Sequence, residues 1–466
     1  MLTVAIPALN EAENIQTVIR FALTHPAVTK VVVVDDGSID DTVMLARAAG
    51  AHVITSTLLG KGPSMRDALT EVHTDFVLYL DADMRRLDPA LIDRMLAPLH
   101  GGADFVKARF SRASGRVTEL TARPLLKTLF PELSAYGQPL GGIMAARTEL
   151  LTRLHFEDDF GVDVGLLIDA HFMGAAVVEV DVGLVEHDSK PLDQLGKMAI
   201  EVSRAILRRA EMVGRLKPEL LLEIMEHERQ LSAEIEVIAH AIEPGGKLAL
   251  FDMDGTLLEG RFIEHLAAAA GLDKVLAELL DHHELDAATR TASIARALQG
   301  VPKDLFVKVA KSIPLQAGAV EAVVALRRQG YRVGLVTDSY FIAADIVRKR
   351  VFADFAVAHV LSFSNGEATG EIRINDLFRH EQGCMAHPIC KRNVLVHLED
   401  FSGMPFRHSL MVGDGDNDIC LIRSVHQGFA YRPRSPLVRM AGLPLTHLGE
   451  LGPQVQASTG GMRVTA

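Results

Sequence analysis

Over the first ~110 residues, short apolar, β-branched runs alternate with stretches whose apolar positions recur at helical spacing. Leu2–Ile6, Val31–Val34, His52–Ile54 and Phe76–Leu80 read as buried strands. Ala12–Ala22, Asp41–Ala49 and Pro63–Val72 read as the helices between them. This alternation predicts an α/β fold with a parallel sheet covered on both faces, whose ligands sit at the carboxyl ends of the strands. Polar segments fall at those ends: Asn10-Glu11, Asp35-Asp36 and Asp81-Ala82-Asp83.

From Leu192 to about Ile242 the periodicity is helical, and Pro218-Glu219 opens a Leu/Ile/Glu-rich segment that runs to His240. Glu243-Pro244-Gly245-Gly246 interrupts it. A second alternating unit follows, with strands Leu248–Phe251, Arg332–Val336 and Ser409–Val412 and helices between about Phe262 and Arg328. The expected organisation is an N-terminal domain at 1–215, a helical linker at 216–244 and a C-terminal domain at 245–450, with the last ten residues frayed. The 218–240 helix is either a spacer or a surface for homodimerisation.

With 48% hydrophobic and 23% charged residues over 466 positions, the chain has globular composition and more length than one ordinary core needs. It contains no apolar run of the ~18 residues that a membrane helix requires, and Met1–Leu9 reads as a first strand rather than a signal peptide. Three cysteines, all late in the chain, suit a reducing cytoplasm. A net charge of -12 argues against nucleic acid or an anionic membrane as partner. One stretch runs against that balance: Lys107, Arg109, Arg112, Arg116, Arg123 and Lys127 with the single acid Glu119, a pattern that suits a small anionic ligand.

Asp81 and Asp83 close an apolar strand. Two carboxylates at that spacing can hold a divalent metal against a diphosphate, with Asp83 the direct ligand and oxygen donors favouring Mg²⁺ or Mn²⁺. Metal there would neutralise a leaving nucleoside diphosphate. Pro7-Ala8-Leu9-Asn10-Glu11, Val34-Asp35-Asp36-Gly37-Ser38 and Gly60-Lys61-Gly62 occur in order, each at a strand end, and resemble the corresponding segments of GT-A glycosyltransferases. Three more segments narrow the resemblance to glucosyl-3-phosphoglycerate synthases. They are Gly115 to Leu126, Gln138-Pro139-Leu140-Gly141-Gly142 and Gly161 to Asp169.

That resemblance implies transfer of glucose from a nucleotide-sugar to 3-phosphoglycerate with retention of the anomeric configuration. It implies donor contacts at Pro7, Ala8, Leu9, Glu11, Asp36, Lys61, Asp81 and Ala82, and metal ligands at Asp83 and His187. Gly115, Arg116 and Thr118 would hold the acceptor's phosphate and carboxylate, and Asp163 would stand near the reacting centre. Three positions depart from the family pattern: Asp163 where glutamate is usual, Val185 where an arginine precedes the metal histidine, and Asp36 where a serine is usual.

In the second unit, strand Leu248–Phe251 delivers Asp252-Met253-Asp254-Gly255-Thr256, and strand Ser409–Val412 delivers Gly413-Asp414-Gly415-Asp416-Asn417-Asp418. Asp252 can attack phosphorus while Asp254 exchanges a proton with the leaving group. Asp252, Asp254 and Asp414 are the expected Mg²⁺ ligands, with Asp418 bracing the site. Together these motifs resemble haloacid dehalogenase-type phosphatases of the phosphoserine phosphatase branch, with a Rossmann-like core. The resemblance implies a phosphate-binding hydroxyl at Thr337, a phosphate lysine at Lys391 and a hairpin at Ala368–Glu371. It also makes the helical insert at about 258–314 a substrate-selecting cap. That branch has a glutamate nine residues after the nucleophile to pair with the substrate's ammonium; Arg261 stands there and favours an additional anion.

Cys384, His387 and Cys390 offer three soft metal ligands. Structural zinc takes four, no fourth is evident, and the segment reads as a loop with reduced thiols. Together the two motif sets point to a bifunctional enzyme that forms glucosyl-3-phosphoglycerate and removes its phosphate, giving the compatible solute glucosylglycerate. A short tether would hold the intermediate at up to roughly millimolar effective concentration. Two alternatives stand beside it: a phosphatase acting on an unrelated phosphomonoester such as phosphoserine, or a non-catalytic phosphate-ligand sensor.

Overall fold

The computed structural model of the chain describes residues 1–110, 115–183, 185–187, 192–216, 244–281 and 287–460, the backbone alone at 186–187, 192–194, 280–281, 287–288 and 456–460. The chain forms two compact units, Met1–Leu221 and Leu222–Ala466. The expected linker helix at Pro218–His240 lies outside the described residues.

In the first unit, β1 (Leu2–Ala8), β2 (Val28–Asp35), β3 (His52–Thr55) and β4 (Phe76–Tyr79) pair in parallel. Beyond Arg86, the end of β5 (Met84–Arg86), come β6 (Phe105–Arg109), β7 (Met144–Arg147), β8 (Val177–Asp181) and β9 (Glu186–His187). Among the described residues the main sheet runs β3-β2-β1-β4-β7-β6-β8, with β7 antiparallel to both neighbours. Its strands are apolar on both sides because helices cover both faces. Leu2, Val4 and Ile6 pack into one core, and Ala5, Val32 and Val34 into the other. Helix Ile15–Leu23 buries Ile15, Val18, Ile19 and Ala22, a 3.6-residue stripe. It starts three residues later than the pattern suggests, because Asn10 takes φ +57° and Glu11 to Asn14 form a turn.

A separate two-stranded sheet pairs β5 with β9 and sets His187 opposite Met84, the residue after Asp83. Helices Val162–Phe172 and Leu192–Met212 pack closely. A Cβ at Gly165 would lie 2.8 Å from the Arg209 guanidinium. Arg209 reaches Asp169 and Glu157 at 2.6 Å each, and all three side chains are largely buried.

The second unit repeats the parallel arrangement. Its strands are β10 (Lys247–Phe251), β11 (Tyr331–Tyr340), β12 (Phe355–Ser364), β13 (Glu367–Arg373), β14 (His408–Gly413), β15 (Gln427–Tyr431) and β16 (Leu443–Leu445). They run β13-β12-β11-β10-β14-β15-β16, and β13 returns antiparallel on β12 as a hairpin. Between β10 and β11 stand helices Phe262–Ala270, Asp273–Asp281, Ala287–Ala297 and Lys303–Ser312, whose Phe262, Leu266 and Phe306 join the core beneath the sheet. At the end of the chain a helix runs Leu451–Gly460, with Leu451 and Val455 buried one turn apart; of the ten residues expected to fray, 457–460 lie in that helix and 461–466 lie outside the described residues. Among the described residues, no helix is long and apolar enough to cross a membrane.

The Arg209 network generates a stability prediction. Arg209→Met leaves Asp169 without its counter-charge and Glu157 with Arg208 as its remaining arginine partner, and should destabilise the first unit by about 3 kcal/mol. Denaturant unfolding of the full chain measures it; an unchanged first transition would show that the network contributes no stability.

Candidate active sites

In the first unit the carboxyl ends of β1, β2 and β4 lie along one edge of the sheet, because these strands are parallel neighbours. Pro7, Ala8, Leu9 and Glu11 leave β1 there. The Glu11 N–H donates to Thr42 Oγ1 at 2.7 Å, and the Asn10 N–H to Ser38 Oγ at 3.0 Å, joining the first two polar segments. Asp36 follows β2, is buried, and accepts from the Gly60 N–H at 2.8 Å, which ties the donor motif to the Gly60-Lys61-Gly62 loop. Its second oxygen, Oδ1, is buried and finds no hydrogen-bond partner within 3.5 Å among the described residues. Burial pushes the Asp36 carboxyl up to about 7, against the pull of the Gly60 N–H.

Lys61 opens helix Lys61–Ala68 and is the hub of the site. Its Nζ lies 2.9 Å from Asp81 Oδ1 and 2.9 Å from Asp163 Oδ2. Burial pulls the ammonium down, but Asp163 and Asp81 more than offset this and hold it above an ordinary lysine. Asp163, in the first turn of helix Val162–Phe172, is 1% exposed, and its Oδ1 has no hydrogen-bond partner among the described residues. Gly142 makes room for Asp81: a Cβ there would lie 2.2 Å from its carboxylate. Ala82 is buried, and Asp83, half-buried, leads into β5 beside the backbone of His187; the His187 side chain is outside the described residues.

The expected basic patch is dispersed. Lys107 is fully buried and donates to the Gly141 carbonyl, Arg109 pairs with Asp181 at 3.4 Å, and Arg123 pairs with Glu119 at 3.1 Å. Arg112 lies outside the described residues. Arg116 is exposed next to Gly115, while Thr118 is buried. Lys107 was legible only as one of a basic run, yet it belongs to the buried cluster. Burial pushes it down to about 8, with Asp163 and Asp81 opposing and Lys61 adding to the fall. A lysine inside Phe105-Val106-Lys107-Ala108 on a doubly covered sheet was the available signal, since such a side chain cannot reach water.

In the second unit Asp252 directly follows β10, and its N–H donates to the Val412 carbonyl on β14. Lys391, the first residue of helix Lys391–Ser402, places Nζ 2.5 Å from Asp252 Oδ1 and 2.8 Å from Asp418 Oδ1. The carboxylates of Asp252, Asp414 and Asp418 lie within 4.8 Å of one another and are buried. Three converging carboxylates suit a hard divalent cation such as Mg²⁺. Burial raises Asp252 well above the usual carboxylate range, against the attraction of Lys391. Thr337 is buried at the end of the apolar part of β11 and accepts from the Ser339 N–H.

Among the described residues the Asp254 carboxylate stands outside the group formed by Asp252, Asp414 and Asp418. The chain turns at Gly255, φ +83°, and the Asp254 carboxylate caps the next helix instead, accepting from the Phe262 N–H at 2.7 Å. Burial pushes Asp254 up to about 6, with the Phe262 N–H and Arg261 pulling the other way. Arg261 pairs with Glu264 at 3.5 Å. Arg434, which no motif marked, donates to the Asp254 carbonyl at 3.1 Å and pairs with the Asp414 carboxylate.

Residues 3–152 match the glycosyl transferase family 2 model, and residues 247–437 match the model described as "Putative Phosphatase". The glucosyl-3-phosphoglycerate synthase of Mycobacterium tuberculosis H37Rv is 36% identical over 236 residues, covering 45% of this chain and 73% of that one. The chain belongs to the glucosyl-3-phosphoglycerate synthase family. Its synthase-family half is joined to a phosphatase-like domain. The phosphoserine phosphatase SerB2 of Mycobacterium tuberculosis H37Rv is 29% identical over 208 residues, covering 43% of this chain and 48% of that protein. A crystal structure of the Mycobacterium tuberculosis synthase with Mn²⁺, uridine diphosphate and phosphoglyceric acid matches at 37% identity. It covers 45% of this chain and 78% of that one, with a TM-score of 0.44.

Asp36 gives the synthase-family domain a pH signature. Its carboxyl is held up in the folded state, so this contribution to stability is complete below the unfolded value near 3.8 and is lost as pH rises through about 7. Asp36→Asn should therefore melt about 4 °C or more above the parent at pH 8 and lose most of that advantage by pH 5. An equal difference at both pH values would disprove the assignment.

Proposed function

We propose that this chain catalyses two consecutive reactions: glucosyl transfer from a nucleotide-sugar to 3-phosphoglycerate, then hydrolysis of glucosyl-3-phosphoglycerate to glucosylglycerate. The observation that carries the reading is an intact Asp252–Lys391–Asp418 cluster, with Asp254 beside it, on the same chain as a synthase-family domain.

In the transferase, Asp83 and His187 are the residues that would hold Mg²⁺ or Mn²⁺, which when bound offsets the charge of the departing diphosphate. Lys61 spends two of its three N–H donors on Asp81 and Asp163 and retains one for the donor. Asp163 keeps one buried oxygen without a hydrogen bond, an acceptor suited to a sugar hydroxyl. Arg116, with Gly115 and Thr118, takes the acceptor's phosphate and carboxylate, for which a guanidinium fork is matched. Glucose leaves the donor with its anomeric configuration retained.

In the phosphatase, of haloacid dehalogenase type, Asp252 attacks phosphorus and the P–O bond to the glycerate oxygen breaks. Asp254, held partly protonated by burial, gives that oxygen its proton. Water then attacks the aspartyl phosphate as Asp254 takes a proton back, and inorganic phosphate leaves. Lys391 and Thr337 hold the phosphate oxygens, and Asp252 and Asp414, braced by Asp418, would hold Mg²⁺, which when bound screens the approaching anionic charges. Arg261 acts on Asp254 from the cap side and suits an acidic substrate.

The relationship to phosphoserine phosphatases supports a second reading, hydrolysis of an unrelated phosphomonoester. Arg261 weighs against phosphoserine, because a guanidinium repels an ammonium. A sensor domain has no use for a nucleophile and a proton donor. Three cysteines without disulfides support a cytoplasmic setting for both steps.

The test follows inorganic phosphate and glycosides by mass spectrometry after mixing enzyme, Mg²⁺, nucleotide-glucose and 3-phosphoglycerate. Asp252→Asn should lower phosphate release by at least about 10³-fold and accumulate the phosphorylated glucoside. Asp83→Ala should abolish transfer yet leave hydrolysis of added glucosyl-3-phosphoglycerate intact. If that compound is not hydrolysed by the parent enzyme, the second step is wrong.

A further inference from the structure

Beside the carboxylate cluster, the described residues contain one more convergent group of metal-binding side chains. Cys384, His387, Cys390 and Cys420 bring their ligand atoms within 4.8 Å of one another. The fourth ligand missing from the sequence pattern is Cys420, which stands 30 residues after Cys390 and reaches the group through the fold. It sits in the short helix Ile419–Ile422 that follows Asp418.

The separations have the size of a tetrahedral coordination shell. Cys384 Sγ lies 3.8 Å from Cys420 Sγ, and His387 Nδ1 lies 3.5 Å from each of these two sulfurs. With Zn–S of about 2.3 Å and Zn–N of about 2.05 Å, tetrahedral geometry requires edges of about 3.8 Å between sulfurs and about 3.6 Å between sulfur and nitrogen. A disulfide would need its sulfurs at about 2.05 Å. Hydrogen bonding alone does not account for the arrangement, because one imidazole nitrogen faces two sulfurs equally while a third thiol converges on the same point.

The supporting backbone is built for these positions. The Cys384 N–H donates to Asn393 Oδ1 at 2.6 Å, Asn393 Nδ2 donates to the Phe378 carbonyl at 2.8 Å, and the Cys390 N–H reaches the same carbonyl at 2.9 Å. Asn393 is buried, so the loop is pinned to helix Lys391–Ser402 at both ends of the ligand run. Three sulfurs and an imidazole select a borderline-soft ion, unlike the oxygen donors of the carboxylate cluster. Four protein ligands leave no open position, which is the structural and not the catalytic pattern.

We propose that Cys384, His387, Cys390 and Cys420 form a structural zinc site that clamps the loop entering Lys391 to the helix leaving Asp418. Cys390 directly precedes Lys391, Cys420 stands two residues after Asp418, and the Lys391 ammonium and Asp418 carboxylate lie 2.8 Å apart. The ion closes the same junction from outside, so these two groups become positioned by coordination as well as by their own ion pair. Binding deprotonates the three thiols, releases those protons to solvent and needs no oxidant. The site does not depend on which phosphomonoester is hydrolysed.

The test uses the full chain purified with a thiol reductant and dialysed, with metal measured by inductively coupled plasma mass spectrometry. The parent should hold about one zinc per chain, and Cys384→Ser and Cys420→Ser should each fall to about a tenth of that. Asp252→Asn, in the carboxylate cluster, should keep its zinc. Should the serine variants fold poorly, Co²⁺ added to metal-stripped parent provides an independent readout: thiolate-to-cobalt charge transfer in the near ultraviolet with intense tetrahedral d–d bands. Parent protein without zinc and without those bands overturns the proposal. So does zinc retained in both serine variants, or a Cys384–Cys420 disulfide in the reduced preparation.

Discussion

A buried ammonium shared by two carboxylates is the contact on which each active-site cluster is assembled. Lys61 lies 2.9 Å from both Asp81 and Asp163, and Lys391 joins Asp252 to Asp418 in the same manner. A carboxylate taken out of water without a partner protonates, and two brought together do so more readily. The shared lysine resists this with one positive charge placed within hydrogen-bond distance of both. It also crosslinks the chain: Lys61 and Asp163 are 102 residues apart, and Lys391 and Asp252 are 139 apart. Loss of Lys391 would therefore take the shared cation from two buried carboxylates, and loss of Lys61 would take it from buried Asp163 and half-buried Asp81; either undoes a long-range closure in one step.

These contacts are possible because parallel strands end together. β1, β2 and β4 release Glu11, Asp36 and Asp81 at one sheet edge, and β10 and β14 release Asp252 and Asp414 at another. The crossover helices then bring the lysines in from separate parts of the chain. Close approach at the first of these edges is met by a residue that yields volume, as Gly142 does to Asp81. The logic common to the two units is geometric: the sheet fixes where acids emerge, and helix N-terminal turns supply the Lys61 and Lys391 ammonium groups that hold them.

Strand positions and motif placement were legible because both depend on short-range pattern. Leu2–Ile6, Leu248–Phe251 and Ser409–Val412 lie within observed strands and Phe76–Leu80 overruns β4 by one residue, because β-branched runs covered on both faces leave little choice of structure. What escaped notice depends on side-chain direction or on distant chain. Asp254 carries the proper motif spacing, but the turn at Gly255 aims its carboxylate at the Phe262 N–H. Arg434 stands 180 residues from the Asp254 carbonyl it binds, and no local pattern encodes that contact. Cys420 was invisible as a partner of Cys384 for the same reason, since sequence spacing measures only the ligands on one loop. Lys107 was misjudged because a run of basic residues was read as one surface, although strand alternation sends its members to different environments.

The dispersal of that run has an electrostatic consequence. A chain with net charge -12 attracts anions poorly through its overall field. Arg109 and Arg123 are engaged by Asp181 and Glu119, and Lys107 is enclosed, so they do not form a broad basic surface. In place of such a surface stand single cations whose positions are set by the fold, such as Lys61, Lys391 and Arg434. A cation held between carboxylates carries little net field into solvent, but at hydrogen-bond range its remaining N–H donors act at full strength. Such sites discriminate by the geometry of the oxygens presented to them, which is what selecting one phosphorylated metabolite among many requires.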